Sequence, residues 1–224
     1  MPKQLSVGEA LAYLNAHGAC VEYDPAFLSR TEAIYYIQGL MARIEFDPEA
    51  ASMVRRPFSR DKIAIPRRQT AYGDVGTAYT FSGCVVPVRP WIPILDALRD
   101  LLRERTGYTP NFVLVNYYRS GSDYIGWHAD DERDLGSAPT ILSLSLGAER
   151  DFQFRHREAF PRARRRAPRP ELKTVTITLR SGSLLTMKDP TNKNWKHQLP
   201  KRGGKAAQAM GERLNLTWRQ ISCQ

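Results

Sequence analysis

The densest chemistry in this 224-residue sequence is the stretch GWHADDE at 126–132. His128 and Asp130 stand two apart, so on an extended segment both side chains project to the same side. Two further acids, Asp131 and Glu132, follow at once. A histidine and a carboxylate on one side could hold a divalent metal if a third ligand arrives from elsewhere. The remaining histidines are His17, His156 and His197. His17 lies near the end of a helical pattern and His156 flanks a basic segment. His197 follows a strand-like run far downstream and could return across a sheet. Two histidines and one carboxylate leave three coordination positions open, an arrangement suited to non-haem Fe(II). Zinc could use the same ligands with a water in the open position. Structural histidines held by hydrogen bonds would give the same spacing.

The second group is RLNLTWR at 213–219. On a strand, Arg213, Asn215, Thr217 and Arg219 face one way and Leu214, Leu216 and Trp218 the other. Taken alone, that pattern fits an edge strand with a solvated outer face. Two arginines on one face repel, however, unless an anion sits between them. A small dicarboxylate would suit both guanidiniums, which bind carboxylates in a bidentate fashion. In NFVLVNYY (111–118), Asn116 and Tyr118 share a face and could donate to the same acid, although polar groups often end strands.

Elements must carry these residues. Ser6 with Glu9, and Ser29 with Glu32, fit capping boxes, each opening an apolar-periodic stretch in the first 45 residues or so. A third helix is expected over 91–105, ending before Gly107. Strands are expected at 111–118, 141–146, 151–155, 173–179, 182–187 and 213–220, separated by glycine- and proline-bearing turns. Helices first and strands later predict an α+β domain with an antiparallel sandwich or barrel. No internal repeat or dividing linker is evident.

Composition narrows the partners. Net charge is +10, from 33 Lys and Arg against 23 Asp and Glu, which points to a polyanion such as nucleic acid. Five arginines crowd 162–169 (RARRRAPR), and further basic clusters lie at 55–68 and 201–205. Such focused charge favours a surface that tracks phosphates, although solvated insertions can look alike. No apolar run approaches the ~20 residues of a membrane span. The N-terminus lacks a secretory stretch, so an intracellular protein is expected. Three scattered cysteines argue against a disulfide framework.

Together HAD, the distal His197 and RLNLTWR resemble the AlkB family of Fe(II)- and 2-oxoglutarate-dependent dioxygenases. The likeness extends through RRQTAYGDVGTAYTFSG, PWIPILDALRD, GAERDFQFRHRE and GSLLTMKDPTNKNWKHQLP, and so over about residues 65–220. It implies a double-stranded β-helix (jelly-roll) core with N-terminal helices and a nucleotide-recognition lid. All of 1–224 would form one domain: helices and a finger region to about 65, the lid at 66–90, then a helix and the β-helix core over 91–224.

The resemblance also implies roles. His128, Asp130 and His197 match the iron ligands. Asn116, Tyr118, Arg213, Asn215, Thr217 and Arg219 match the 2-oxoglutarate positions, with Arg213 on the distal carboxylate and Arg219 near the keto-acid end. The activity would be oxidative demethylation of 1-methyladenine and 3-methylcytosine in DNA, releasing formaldehyde, succinate and CO2. Duplex DNA is favoured over single strands or RNA, and a non-catalytic binding module is the more distant alternative. Asp131 and Glu132 fall on the substrate side, where a carboxylate favours a cationic base. Phe81 would stack on a flipped base, Tyr79 would line its pocket, and Phe58 would wedge into the duplex, although its spacing to Pro66 is one residue longer than in the family. Arg67 and the basic clusters would grip phosphates. A monomer is expected, in the nucleus of a eukaryote or the cytoplasm of a bacterium.

Overall fold

The computed structural model describes residues 5–46, 53–55, 62–77, 79–81, 84–132, 135–159 and 172–221. Phe58, the arginine-rich segment 162–169 and the side chains of Tyr79 and Phe81 lie outside the described set.

Helix α1 (Val7–Ala16), strand β1 (Val21–Asp24) and helix α2 (Arg30–Met41) open the chain. Both helices start as expected. The Ser6 and Ser29 side chains accept from the Glu9 and Glu32 amides, and each glutamate reaches back to its cap amide. Short strands follow: β2 (Met53–Arg55), β3 (Lys62–Ala64), β4 (Arg68–Gly73), β5 (Tyr79–Phe81), β6 (Cys84–Val86) and β7 (Val88–Arg89). Helix α3 (Pro93–Thr106) begins on a proline and ends at Gly107, whose φ of 76° is the left-handed geometry a helix stop needs.

The strand-rich part comprises β8 (Phe112–Tyr118), β9 (Ile125–His128), β10 (Ile141–Gly147), β11 (Arg150–His156), β12 (Val175–Leu179) and β13 (Leu184–Met187). Short helix α4 (Thr191–Asn194), β14 (Trp195–Leu199), short helix α5 (Gly204–Ala209) and β15 (Arg213–Arg219) complete it. All six strands expected from alternation are present. Strands β1, β9 and β14 were not anticipated, because runs such as VEYD, IGWH and WKHQL are short and carry charged or polar residues on their outer faces.

A large sheet runs in the order β1-β13-β10-β15-β8-β4-β7, and a smaller one in the order β12-β11-β14-β9. Their pairings are antiparallel apart from β4 with β7. One apolar cluster joins inward residues of both sheets, including Phe112, Ile141, Phe154, Ile177 and Trp195. A second lies on the other face of the large sheet, where Leu40, Leu95, Leu98 and Leu102 of α2 and α3 cover Leu144, Leu214, Leu216 and Trp218. The result is a sheet-rich α/β fold of antiparallel sheets, consistent with a jelly roll.

This layering corrects the edge-strand expectation for RLNLTWR. Strand β15 lies between β10 and β8, and all seven of its residues are buried. Its polar face is therefore interior, and every group on it needs a partner. The strand's start is fixed by Gly147, which pairs with Arg213 in register. With φ at 91°, Gly147 lies against the Glu212 carbonyl so closely that a Cβ would collide with it.

Candidate metal centre and active-site cavity

Between the sheets, strands β9 and β14 place His128 directly opposite His197. Their rings lie 4.2 Å apart at 71°. Asp130 sits two residues beyond the end of β9. Its backbone N–H donates to Asn192 Oδ1 at 3.2 Å, which turns the carboxylate inward. One Asp130 oxygen is 4.0 Å from His128 Nε2 and the other 4.0 Å from His197 Nε2. Ligand atoms of the three residues fall within 4.8 Å of one another.

The protonation states suit a metal. His128 Nδ1 lies 2.8 Å from the Gly126 carbonyl. A carbonyl can only accept, so Nδ1 carries the proton and the Nε2 lone pair faces the cluster. Burial, then the neighbouring His128, pushes His197 down to about 3, so its ring is neutral near neutral pH. His128 is also lowered, chiefly by burial. Burial works to raise Asp130, but the charged Arg219 beside it outweighs that and holds the carboxylate ionised. Phe152 stacks on the His197 ring at 5.2 Å and 28°, fixing its plane.

The cavity continues along the inward face of three paired strands. Strand register sets Arg213 against Tyr118 and Asn215 against Asn116, with Ser145 and Ser143 of β10 opposite Asn215 and Thr217. Asn215 Nδ2 donates to Ser143 Oγ at 2.9 Å and to the Leu144 carbonyl at 3.1 Å. Thr217 Oγ1 bonds to Asn215 Oδ1 at 3.3 Å. Arg219 Nη2 forms an ion pair with Asp130 at 3.0 Å, so this arginine touches the metal cluster itself.

Arg213 differs. It is 2% exposed, donates to Ser145 Oγ at 3.0 Å and lies 5.2 Å from the Tyr118 ring centre. Among the described residues no carboxylate pairs with it, and its Nε has no hydrogen-bond partner. Burial pulls it down to about 10. An unpaired interior charge costs several kcal/mol, so the site is built for an anion that the chain does not itself provide. A diacid chelating a metal held by His128, Asp130 and His197 fits this donor set.

The nine residues expected for metal and cosubstrate line this one cavity. Arg67 joins them: it is 4% exposed and its Nε bonds to Asn116 Oδ1 at 2.6 Å. It is thus an interior cation, not a surface group presented to phosphates. Asp131 is exposed and paired with Arg157 at 2.6 Å, while Glu132 is partly buried beside it. Asp131 and Glu132 line a separate hollow with Asn192 that meets the metal cavity at Asp130.

Sequence reasoning missed Ser143, Ser145, Phe152, Arg157 and Asn192. The alternation of ILSLSL contains the signal for the two serines, since they are polar on a strand that is otherwise apolar. Nothing local marks Asn192 or Arg157, which act only after the chain folds back.

Comparison with known proteins agrees with this geometry. A family model, the 2OG-Fe(II) oxygenase superfamily, matches residues 21–219. The mouse protein named DNA oxidative demethylase ALKBH2 is 47% identical over 158 residues, covering 70% of this chain and 63% of that protein. The rat alpha-ketoglutarate-dependent dioxygenase alkB homolog 3 is 37% identical over 157 residues, covering 70% of this chain and 50% of the relative. The chain thus spans between half and two thirds of the length of these curated relatives. A solved structure of OsALKBH1 superposes with a TM-score of 0.53 at 21% identity, over 89% of this chain and 97% of the other, which supports the fold. With the family model matching nearly the whole chain and the metal cluster assembled, this chain belongs to the 2OG-Fe(II) oxygenase superfamily.

Proposed function

We propose that this chain removes alkyl groups oxidatively from the bases of duplex DNA, with 1-methyladenine and 3-methylcytosine as substrates. The observation that carries the reading is the pairing, in one cavity, of the His128–Asp130–His197 cluster with the uncompensated guanidinium of Arg213. The names of the relatives supply the substrate class. When bound, Fe(II) and 2-oxoglutarate supply O2 activation and hydroxylation of the N-methyl carbon, with succinate, CO2 and formaldehyde as products.

The protein's own part is placement. His128, Asp130 and His197 hold the metal. Arg213, bonded to Ser145, takes the distal carboxylate, with Tyr118 beside it. Asn116, Asn215 and Thr217 line the remaining wall and orient the keto acid. Arg219 holds Asp130 and lies on the side of the other carboxylate. A buried, preorganised set of this kind fixes the reacting groups and excludes water.

The base must leave the stack to reach this depth. The β5–β6 hairpin belongs to the lid at 66–90, from which Phe81 would stack on the flipped base and Tyr79 would line its pocket. Glu132 and Asp131 supply negative charge that favours a cationic methylated base over a neutral one. Phe58 would fill the gap left in the duplex. Lys201 and Lys205 are exposed, and with the arginines of 162–169 they would grip phosphates. The working unit is a monomer of one domain inside the cell, nuclear in a eukaryote. No helix among the described residues is long and apolar enough to cross a membrane.

The test uses oligonucleotides carrying 1-methyladenine, with Fe(II), ascorbate and 2-oxoglutarate, followed by base mass. Loss of one methylene with preference for the duplex is expected. Preference for single strands or RNA would move the substrate assignment. Binding without turnover, equal for wild type and His128→Ala, would replace the enzyme with a binding module.

A further inference from the structure

Arg150, the first residue of β11, is buried as deeply as Arg213, at 2% exposed. Its Nη1 donates to the Ser120 carbonyl at 3.1 Å. Its Nη2 donates to the carbonyls of Asp123 at 3.0 Å and Pro200 at 2.9 Å, with that of Gly121 at 3.5 Å. Two loops, 119–124 and the one after β14, are thereby tied to one guanidinium. Carboxylates are close at hand but turned away. Asp123 is gripped by Arg119 at 2.8 and 3.0 Å, and Asp151 is taken by Arg202 and Thr178. Arg150 therefore has its hydrogen bonds without a carboxylate partner among the described residues.

Its guanidinium carbon lies 5.9 Å from the centre of the Tyr118 ring, and that of Arg213 lies 5.2 Å from the same centre. Two buried cations thus gather round one phenol, of which Arg213 and the phenol itself line the cavity. Burial lowers the proton affinity of both, and Arg150 lowers that of Arg213 further. Carbonyl dipoles soften the cost of Arg150 but do not cancel its charge. Asp123 and Asp151 act on its charge from a distance, each engaged by another arginine, and in a low-dielectric interior the remaining field extends to its neighbours.

We propose that Arg150 determines specificity for the keto acid. Without touching it, Arg150 holds Tyr118 and adds a second cation near Arg213, so that the part of the cavity lined by Tyr118 and Arg213 accepts a chain ending in a carboxylate and rejects one ending in a methyl group. The inference rests on the cosubstrate reading given above. A loop staple alone would use the same four carbonyls, and the two roles separate when charge and hydrogen bonding are changed independently.

The test measures binding of 2-oxoglutarate and of 2-oxopentanoate, which has a methyl group in place of the distal carboxylate. The full chain is loaded with Mn(II) in place of iron, and calorimetry gives the preference as a ratio of Kd values. Arg150→Gln keeps donors for the carbonyls but loses the charge. It is expected to lower the preference about tenfold, through weaker 2-oxoglutarate binding, with 2-oxopentanoate changed by less than about threefold. Arg150→Lys keeps the charge and is expected to hold the preference within about threefold of wild type, even if its Tm falls. Equal weakening of both acids in the glutamine variant, or equal loss of preference in both variants, would overturn the proposal. If the glutamine variant does not fold, the lysine variant decides: a lost preference in a folded protein refutes the charge role. Wild type that fails to prefer 2-oxoglutarate would instead sink the cosubstrate reading itself.

Discussion

Replacing Arg213 by Met separates a cosubstrate clamp from a structural arginine, because the two roles move stability and binding in opposite directions. The guanidinium is 2% exposed and held by the Ser145 hydroxyl and by Tyr118, with no carboxylate partner among the described residues. Without ligand it is a cost, so Arg213→Met leaves the Tm of the metal-free, ligand-free protein unchanged or raises it. With 2-oxoglutarate it becomes half of a buried ion pair, and deleting one partner of such a pair costs about 3–5 kcal/mol. At about 1.4 kcal/mol per tenfold, affinity falls roughly 150- to 5,000-fold. Thermal shift reads both effects. At 100 times Kd, 2-oxoglutarate stabilises the Mn(II)-loaded wild type by about 2.7 kcal/mol. For a chain of this size that is a shift of about 5–11 °C. The variant at the same concentration is expected to shift by less than about 1 °C. A variant that melts several degrees lower without ligand, yet binds 2-oxoglutarate as wild type does, would refute the reasoning.

Trp218→Ala removes a fully buried ring that stacks on Trp91 at 5.9 Å and 13°, and is expected to cost about 3–5 kcal/mol in chemical denaturation. Ser29→Ala breaks the α2 capping box and costs about 1 kcal/mol. Glu32 is held below its ordinary value by the Ser29 backbone and then its hydroxyl, so the box stabilises above pH 4.5 and fades as the pH falls through the lowered value. Unfolding curves of wild type and Ser29→Ala should therefore draw closer in acid without meeting, because alanine keeps the backbone N–H that holds Glu32 and the Ser29 hydroxyl's bond from the Glu32 amide does not titrate. Neutralising the five arginines of 162–169 should reduce the slope of log affinity for DNA against log salt by about 0.9 for each phosphate they neutralise, and an unaltered slope removes that segment from the interface. Phe58→Ala should impair repair of duplex more than of single strands; equal losses mean it is no wedge.

The alternation of RLNLTWR fixed which side chains of β15 face together, and the apolar side was legible as core. Whether the polar side met water or the interior was not legible, because strand order is a property of the whole sheet. Central placement turned a plausible solvated face into a buried array that requires an anion. His128 and Asp130 were legible as a pair, and His197 as a candidate third member, but their convergence depended on β9 and β14 pairing in register. Those strands were hard to see because only Trp195, His197 and Leu199 of WKHQL point inward, and one of the three is the ligand itself. Arg67 was misplaced for a related reason: an arginine beside a basic cluster reads as surface charge until its partner, Asn116, is found on a neighbouring strand. Helix ends were the easiest to read, since capping boxes and the Gly107 stop act within a few residues.

The central claim is a ferrous site at His128, Asp130 and His197 that presents its metal to a diacid anchored by Arg213. The most direct measurement is an anaerobic titration of the Fe(II)-loaded chain with 2-oxoglutarate, followed by the visible charge-transfer absorption of a 2-oxoacid chelated to ferrous iron. Saturation at one equivalent per chain is expected, with the band absent in His197→Ala and its midpoint moved to far higher 2-oxoglutarate in Arg213→Met. A wild-type protein that retains iron but develops no such band, or an Arg213→Met variant titrating at the wild-type midpoint, would contradict it.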